Sequence, residues 1–162
     1  MVKCPNCGAN IHRHDRVCPY CGAENPTFLS PVEEVPALLE KGMKAYREEQ
    51  YAQAIDCYRR AIAIDPNLFE AYFYLADSWN MLGRQEEAIK AMETARAIRP
   101  GSTSACYNLG VLYKRIGRKA EARTYLEKAL AMVESDVSLS NRERMKQAIQ
   151  EELSGLRRRK LF

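Results

Sequence analysis

The feature that most constrains this chain is a repeat of 34 residues. Ala54, Ala88 and Ala122 recur at that step, and so do Ala61, Ala95 and Ala129. Gly42, Ala76 and Gly110 form a third small-residue series, and Pro66 and Pro100 are again 34 residues apart. A unit of this length accommodates two antiparallel helices, which cannot bury their apolar faces alone and must stack on neighbouring units. Small residues at the crossing let the helices of a pair approach, and large neighbours fill the remaining gaps. Stacked pairs present an extended surface, so the periodicity points to a binding protein before any catalytic motif is considered.

From about Leu38 to Val133 the apolar residues follow a helical period. Gly83 and Gly117 fall between the two helices of their units, where a left-handed residue ends a helix at little cost. Asp65-Pro66-Asn67 and Arg99-Pro100-Gly101-Ser102 separate one unit from the next. Asn67 with Glu70 and Ser140 with Glu143 read as capping boxes, and Ser102 as an N-cap. The spacing predicts helices over 38–49, 53–64, 69–82, 86–98, 103–116 and 120–133, and a seventh over 141–157. On the seventh, Met145, Ile149, Leu153 and Leu156 make one apolar stripe on a charged cylinder. Such a helix suits the end of a solenoid, where one face must stay wet; a partner-binding or dimerising helix is the alternative. Residues 24–36 contain three prolines and are expected to run extended as a semi-rigid linker, not as a continuous helix. The run Arg157-Arg158-Arg159-Lys160 suits the C-terminal end of a helix dipole as a solvated terminus.

Four of the six cysteines lie within residues 1–23, as Cys4-Pro5-Asn6-Cys7-Gly8 and Cys18-Pro19-Tyr20-Cys21-Gly22. Two thiolates with two residues between them can grip one tetrahedral ion, and the following glycine allows the tight turn that aims backbone N–H groups at sulfur. No apolar leader is apparent after Met1, so the pattern reads as metal ligation before disulfides. Cys4, Cys7, Cys18 and Cys21 are therefore expected to hold one structural zinc ion. Iron fits the same four ligands but would need a larger apolar shell. His12 and His14 are substitute ligands should a cysteine be excluded. Four thiolates leave no open coordination position, so the site is not expected to be catalytic.

The repeat resembles the tetratricopeptide repeat family. Taking units 35–68, 69–102 and 103–136, the family's small residue near the start matches Gly42, Ala76 and Gly110, and its two alanines match the two alanine series. Its large residue matches Tyr58, Met92 and Leu126, and its closing proline matches Pro66 and Pro100. Lys41, Glu49 and Glu134 depart from the pattern at the edges. The cysteine segment is similar to the short zinc ribbons at the ends of many prokaryotic proteins. Together the resemblances imply an all-α, three-repeat helical solenoid with a C-terminal capping helix and a small Cys4 zinc ribbon in front. The implied division is 1–23 ribbon, 24–36 linker, 37–136 repeats and 137–162 capping helix with basic tail.

In that family the first helices of the units line a concave groove. By position, Leu39, Met43, Tyr46, Phe73, Asp77, Asn80, Tyr107, Val111 and Lys114 are the implied partner-contacting residues. The apolar centre of this set suits a peptide or helix with an apolar face. The family's clamp for a terminal carboxylate is not matched, because Leu39, Met43, Tyr74 and Ser104 stand at clamp positions. Phe28, Leu29, Val32 and Val35, or the last helix, are alternative occupants of the groove.

The expected activity is that of an adaptor or scaffold for another protein in the cytoplasm. A net charge of +4 is too mild for a nucleic-acid signature, although Lys3, Arg13, Arg16 and the terminal cations leave nucleic-acid binding as the second reading. No apolar run approaches the ~18–20 residues of a membrane span. No phosphate loop, dinucleotide fingerprint or serine elbow occurs, so no enzyme is expected. Cys57, Cys106 and Trp79 read as core filler.

Overall fold

The structure, a computed structural model, describes residues 1–28 and 30–157. The expectations for Leu29 and for Arg158, Arg159 and Lys160 lie outside the described residues, as do those for the side chains of Val32 and Arg157. The chain begins with a two-stranded antiparallel ribbon, β1 (Val2–Lys3) and β2 (Asn10–Ile11), in register Val2 to Ile11. Seven helices follow among the described residues: α1 (Pro31–Arg47), α2 (Tyr51–Ile64), α3 (Phe69–Met81), α4 (Gln85–Ile98), α5 (Thr103–Arg115), α6 (Lys119–Met132) and α7 (Arg142–Arg157). The closest packing is within the pairs α1/α2, α3/α4 and α5/α6, and the pairs stack through α2–α3 and α4–α5. None of the described helices is long and apolar enough to cross a membrane.

The crossings carry the periodic small residues. Ala54, Ala88, Ala122, Ala61, Ala95 and Ala129 are all fully buried. A Cβ on Gly42 would lie 2.5 Å from Cε1 of Tyr58, and one on Gly110 would lie 2.6 Å from Cγ of Leu126. The large residue of α2 or α6 thus presses directly on the backbone of its partner helix.

The turn inside each pair is built from one set of positions. Gly83 (φ 75°) and Gly117 (φ 80°) are left-handed, and Glu49 takes the same position at φ 59°. The next N–H, of Gln50, Arg84 or Arg118, donates at 2.9 Å to the carbonyl of Ala45, Trp79 or Tyr113. Arg84 and Arg118 each sit 4.8 Å over the rings of Trp79 and Tyr113 and pair with Glu87 and Glu121. A cation over an aromatic face adds ~0.5–1 kcal/mol at such sites. The first unit has Ala45, Gln50 and Gln53 in these places and lacks the clamp. Trp79 is half-buried beneath its arginine.

The proline-rich segment departs from expectation. Glu24 bridges to Val17, and the Asn25 side chain donates to the carbonyl of Asp15 at 3.0 Å, so the first half of the segment folds onto the ribbon. The second half is helical: α1 starts at Pro31 and contains Pro36. Pro31 is at the first helical position, where no N–H is needed, and Pro36 costs one backbone bond. Buried anchors on either side of Pro36, Glu34 and Leu38, hold the helix against that loss. No extended linker over 24–36 remains.

Two expected capping boxes are also replaced. Leu68 precedes α3 with no side-chain cap, while Asn67 gives its backbone N–H to Asp65. Asn141, not Ser140, caps α7 by accepting the Arg144 N–H at 2.9 Å. Ser102 does cap α5, accepting the Ala105 N–H at 3.2 Å. Asp136, buried in the α6–α7 connection, adds a second cap by accepting the Thr103 N–H at 2.7 Å. Burial would raise its carboxyl, but hydrogen bonds from Ser138 and Thr103 hold it below the usual carboxylate range. The stripe of α7 packs as its pattern implies, with Ile149 fully buried beside Cys106, Leu126, Ala129 and Val133.

Two stability outcomes follow from this packing. Ala88→Leu overpacks the middle crossing and should cost ~1–3 kcal/mol in chemical denaturation. Glu49→Gly removes a left-handed non-glycine residue from the first turn and should raise stability by up to ~1 kcal/mol in the same experiment, the looser unfolded chain offsetting part of the gain.

Candidate functional site

The four ribbon cysteines converge. Their Sγ atoms all lie within 4.8 Å of one another, with Cys4 to Cys21 and Cys7 to Cys18 at 3.6 Å. Four sulfurs around a zinc ion at ~2.3 Å stand about 3.8 Å apart, so the cluster has the size of one tetrahedral ion. The two knuckles are built alike. Cys4 and Cys18 donate N–H to the carbonyls of Ala9 and Ala23, while Gly8 and Gly22, both at φ 71°, donate back to Cys4 and Cys18. The Ala23 N–H then bonds to Cys21 and, with Asn6, brings that thiol down to about 6. Cys4 is lowered as well, first by the Cys7 backbone N–H. Such donors favour thiolates, the form that ligates metal, at Cys4 and Cys21; Cys7 also receives the Ala9 N–H, but the surrounding sulfurs push it up to about 12. Cys4 and Cys18 are buried with Ile11, whereas Cys7 and Cys21 face outward.

His14 is not turned toward the sulfurs. Its Nε2 lies 2.9 Å from Oε2 of Glu34 on α1. Oε1 of Glu34 is 3.3 Å from Arg13 and 3.4 Å from Arg60 of α2. The Glu34 side chain is only 6% exposed. One buried carboxylate therefore ties the ribbon to the first helix pair. Of the three ribbon cations considered for nucleic acid, Arg13 is committed to this contact. Nothing in the sequence around Glu34 marked it out, because its segment read as a linker.

The implied groove residues separate into two groups. Met43, Tyr46 and Asp77 line a cavity of about 140 Å³ together with Arg47, Tyr58 and Tyr74. Phe73 meets Tyr74 edge-on, with centroids 5.8 Å apart. Leu39 packs beside Leu38, Ala61 and Ala71. Asn80 accepts from Arg115 at 2.7 Å, and Val111 is half-buried on α5. Tyr107 packs with the stripe of α7, and Lys114 pairs with Glu152 of α7 at 2.5 Å. The last helix thus takes up part of the third unit's surface. Tyr58 joins the first group although its position in the repeat reads as core; Gly42 opposite it was the signal that its ring lies close to α1. Cys57 and Cys106 are buried, and burial raises the Cys106 thiol, which fits their reading as filler.

Models of the tetratricopeptide repeat match residues 39–103 and 103–133, and a zinc-ribbon domain model matches residues 1–25. The chain belongs to the tetratricopeptide repeat family and carries an N-terminal zinc ribbon. The human small glutamine-rich tetratricopeptide repeat-containing protein beta is 39% identical over 62 residues, which is 38% of this chain and 20% of the relative. The chain thus spans about a fifth of that relative's length. PcrH, solved in complex with the chaperone binding region of PopD, is similar with a TM-score of 0.74 at 15% identity, over 82% of this chain and 97% of PcrH. The Yersinia enterocolitica type III secretion translocator chaperone SycD has a TM-score of 0.72 at 14% identity, over 79% of this chain and 95% of its own. The second repeat domain of human RPAP3, solved with an HSP70 peptide, has a TM-score of 0.68 at 22% identity, over 80% of this chain and 100% of the domain. At these identities the solved structures attest to the shared fold.

The Glu34 contact changes what metal removal should do. Chelation should unfold the ribbon and, by freeing Arg13 and His14 from Glu34, speed amide hydrogen exchange over the first turns of α1 while α3–α6 stay protected. Glu34→Ala should cost ~1–3 kcal/mol of stability, as expected for loss of a buried hydrogen-bonded charge with half-exposed partners. Unchanged exchange over residues 31–38 on chelation would mean that the ribbon stands apart from the solenoid.

Proposed function

We propose that this chain is a protein-interaction adaptor whose concave face receives a peptide or a helix of another protein. The repeat units are 35–68, 69–102 and 103–136, and the receiving surface is formed by α1, α3 and the part of α5 not taken up by α7. The observation that carries this reading is the open cavity bordered by Met43, Tyr46 and Asp77, three residues that repeat position alone assigns to the groove. Met43 is 39% exposed and lines the cavity, so an apolar side chain is available there to an incoming segment. PcrH and the RPAP3 domain, which share the fold, are each solved with a segment of another protein. That likeness supports looking for the partner on this face.

The ribbon, on this reading, holds one zinc ion through Cys4, Cys7, Cys18 and Cys21. The ion closes the two knuckles, supplies most of the folding energy of a segment too small for a core of its own, and takes no part in chemistry. Six cysteines with no disulfide among them suit a reducing compartment such as the cytoplasm.

Purified protein should contain about one equivalent of zinc per chain by elemental analysis, falling when any of the four cysteines becomes serine. A cross-linked pull-down from the native cell with wild-type chain should recover a partner that Met43→Arg loses. Met43→Arg is at an exposed position and should leave the helical circular dichroism intact. Recovery unaffected by Met43→Arg would remove the concave face from the function.

A further inference from the structure

We propose that the cavity between α1, α2 and α3 is a socket for one basic side chain, lysine or arginine, of the bound segment, with the Asp77 carboxylate as its counter-charge. This rests on the reading that the concave face binds a peptide, and it names the chemistry of the residue that enters.

Three observations converge on a cation. Tyr58, on the floor, is fully buried, and its hydroxyl has no hydrogen-bond partner. A buried hydroxyl without a partner costs free energy that an incoming polar group would recover. Asp77, which also lines the cavity, is half-buried, and the one side-chain donor to it among the described residues is Asn108 Nδ2 at a long 3.4 Å. It has no ion-pair partner among the described residues. Burial pushes its carboxyl up to about 6, the mark of an anion that lacks compensation. The remaining lining is apolar or aromatic: Met43, Tyr46 and Tyr74. These can flank the methylenes of a long side chain, and the tyrosine faces attract its charged end.

The other occupants fit worse. An apolar side chain would cover Asp77 and leave its charge unpaired, and an acidic side chain or terminal carboxylate would meet like charge. Arg47 lies at the exposed rim and makes no ion pair with Asp77 among the described residues. It favours a single basic residue over a basic run. The floor is preformed, because Tyr58 presses on the backbone of α1 at Gly42 and cannot withdraw.

The test selects peptides from a random phage-displayed library on the full, zinc-loaded chain and measures the synthetic peptides by calorimetry. Selected peptides should share one lysine or arginine, and replacing it by norleucine should weaken binding at least tenfold. Asp77→Asn, nearly the same shape, should erase that difference, and Tyr58→Phe should reduce it severalfold. The norleucine peptide leaves the protein untouched, so the comparison holds even if a variant folds poorly. Peptides that are lost on Met43→Arg, which sets a bulky cation in the cavity, but show no basic preference, or ignore Asp77→Asn, overturn the socket and leave the groove standing. Peptides indifferent to Met43→Arg overturn the groove reading itself, and the socket with it.

Discussion

The distance between the two helices of the first and third pairs is set where Gly42 meets Tyr58 and Gly110 meets Leu126. With no Cβ on one side, a large side chain can lie directly against the opposing backbone. The rest of the array depends on that approach. Each closed pair presents its second helix to the first helix of the next, α2 to α3 and α4 to α5. Ala54, Ala88 and Ala122 serve the same end from the second helices, all fully buried.

The approach at Gly42 also explains why a cavity survives there. Tyr58 lies against Gly42 and lines that cavity with Asp77 and Tyr74, its ring stacked on Tyr74 with centroids 5.8 Å apart. At the same position in the third unit stands Leu126, which has no polar end to place in the groove. There α7 packs over Tyr107, and Glu152 pairs with Lys114. The first-helix side is therefore unequal along its length: it holds a cavity between the first two units, and in the third it is partly taken up by the chain's own last helix.

At the other end, the ribbon acts as more than an appendage. Glu34 collects Arg13 and His14 from the ribbon and Arg60 from α2 around one buried carboxylate. A helix with a proline in its second turn would fray on its own. Here its first turns are held from both sides, by Arg13 and His14 of the ribbon and by Arg60 of α2. The order of the four-cysteine ribbon can thereby influence that of α1.

The sequence by itself determined the repeat, the helix pairs, the left-handed turns at Gly83 and Gly117 and the four-cysteine cluster. Each of these is local or strictly periodic: a missing Cβ, a fixed spacing, a 3.6-residue stripe. Repeat position also singled out Met43, Tyr46 and Asp77, which the fold brings together around one cavity. The tertiary structure alone decided what depends on contacts between distant segments. Propensity forbade a helix through Pro36, yet buried Glu34 and Leu38 hold one there. Asp136 caps a helix 33 residues away, and Tyr58 turns from core filler into the floor of a cavity. No local pattern encodes these, since a buried charge or hydroxyl acquires its meaning only from the groups that the fold brings, or fails to bring, within hydrogen-bonding distance.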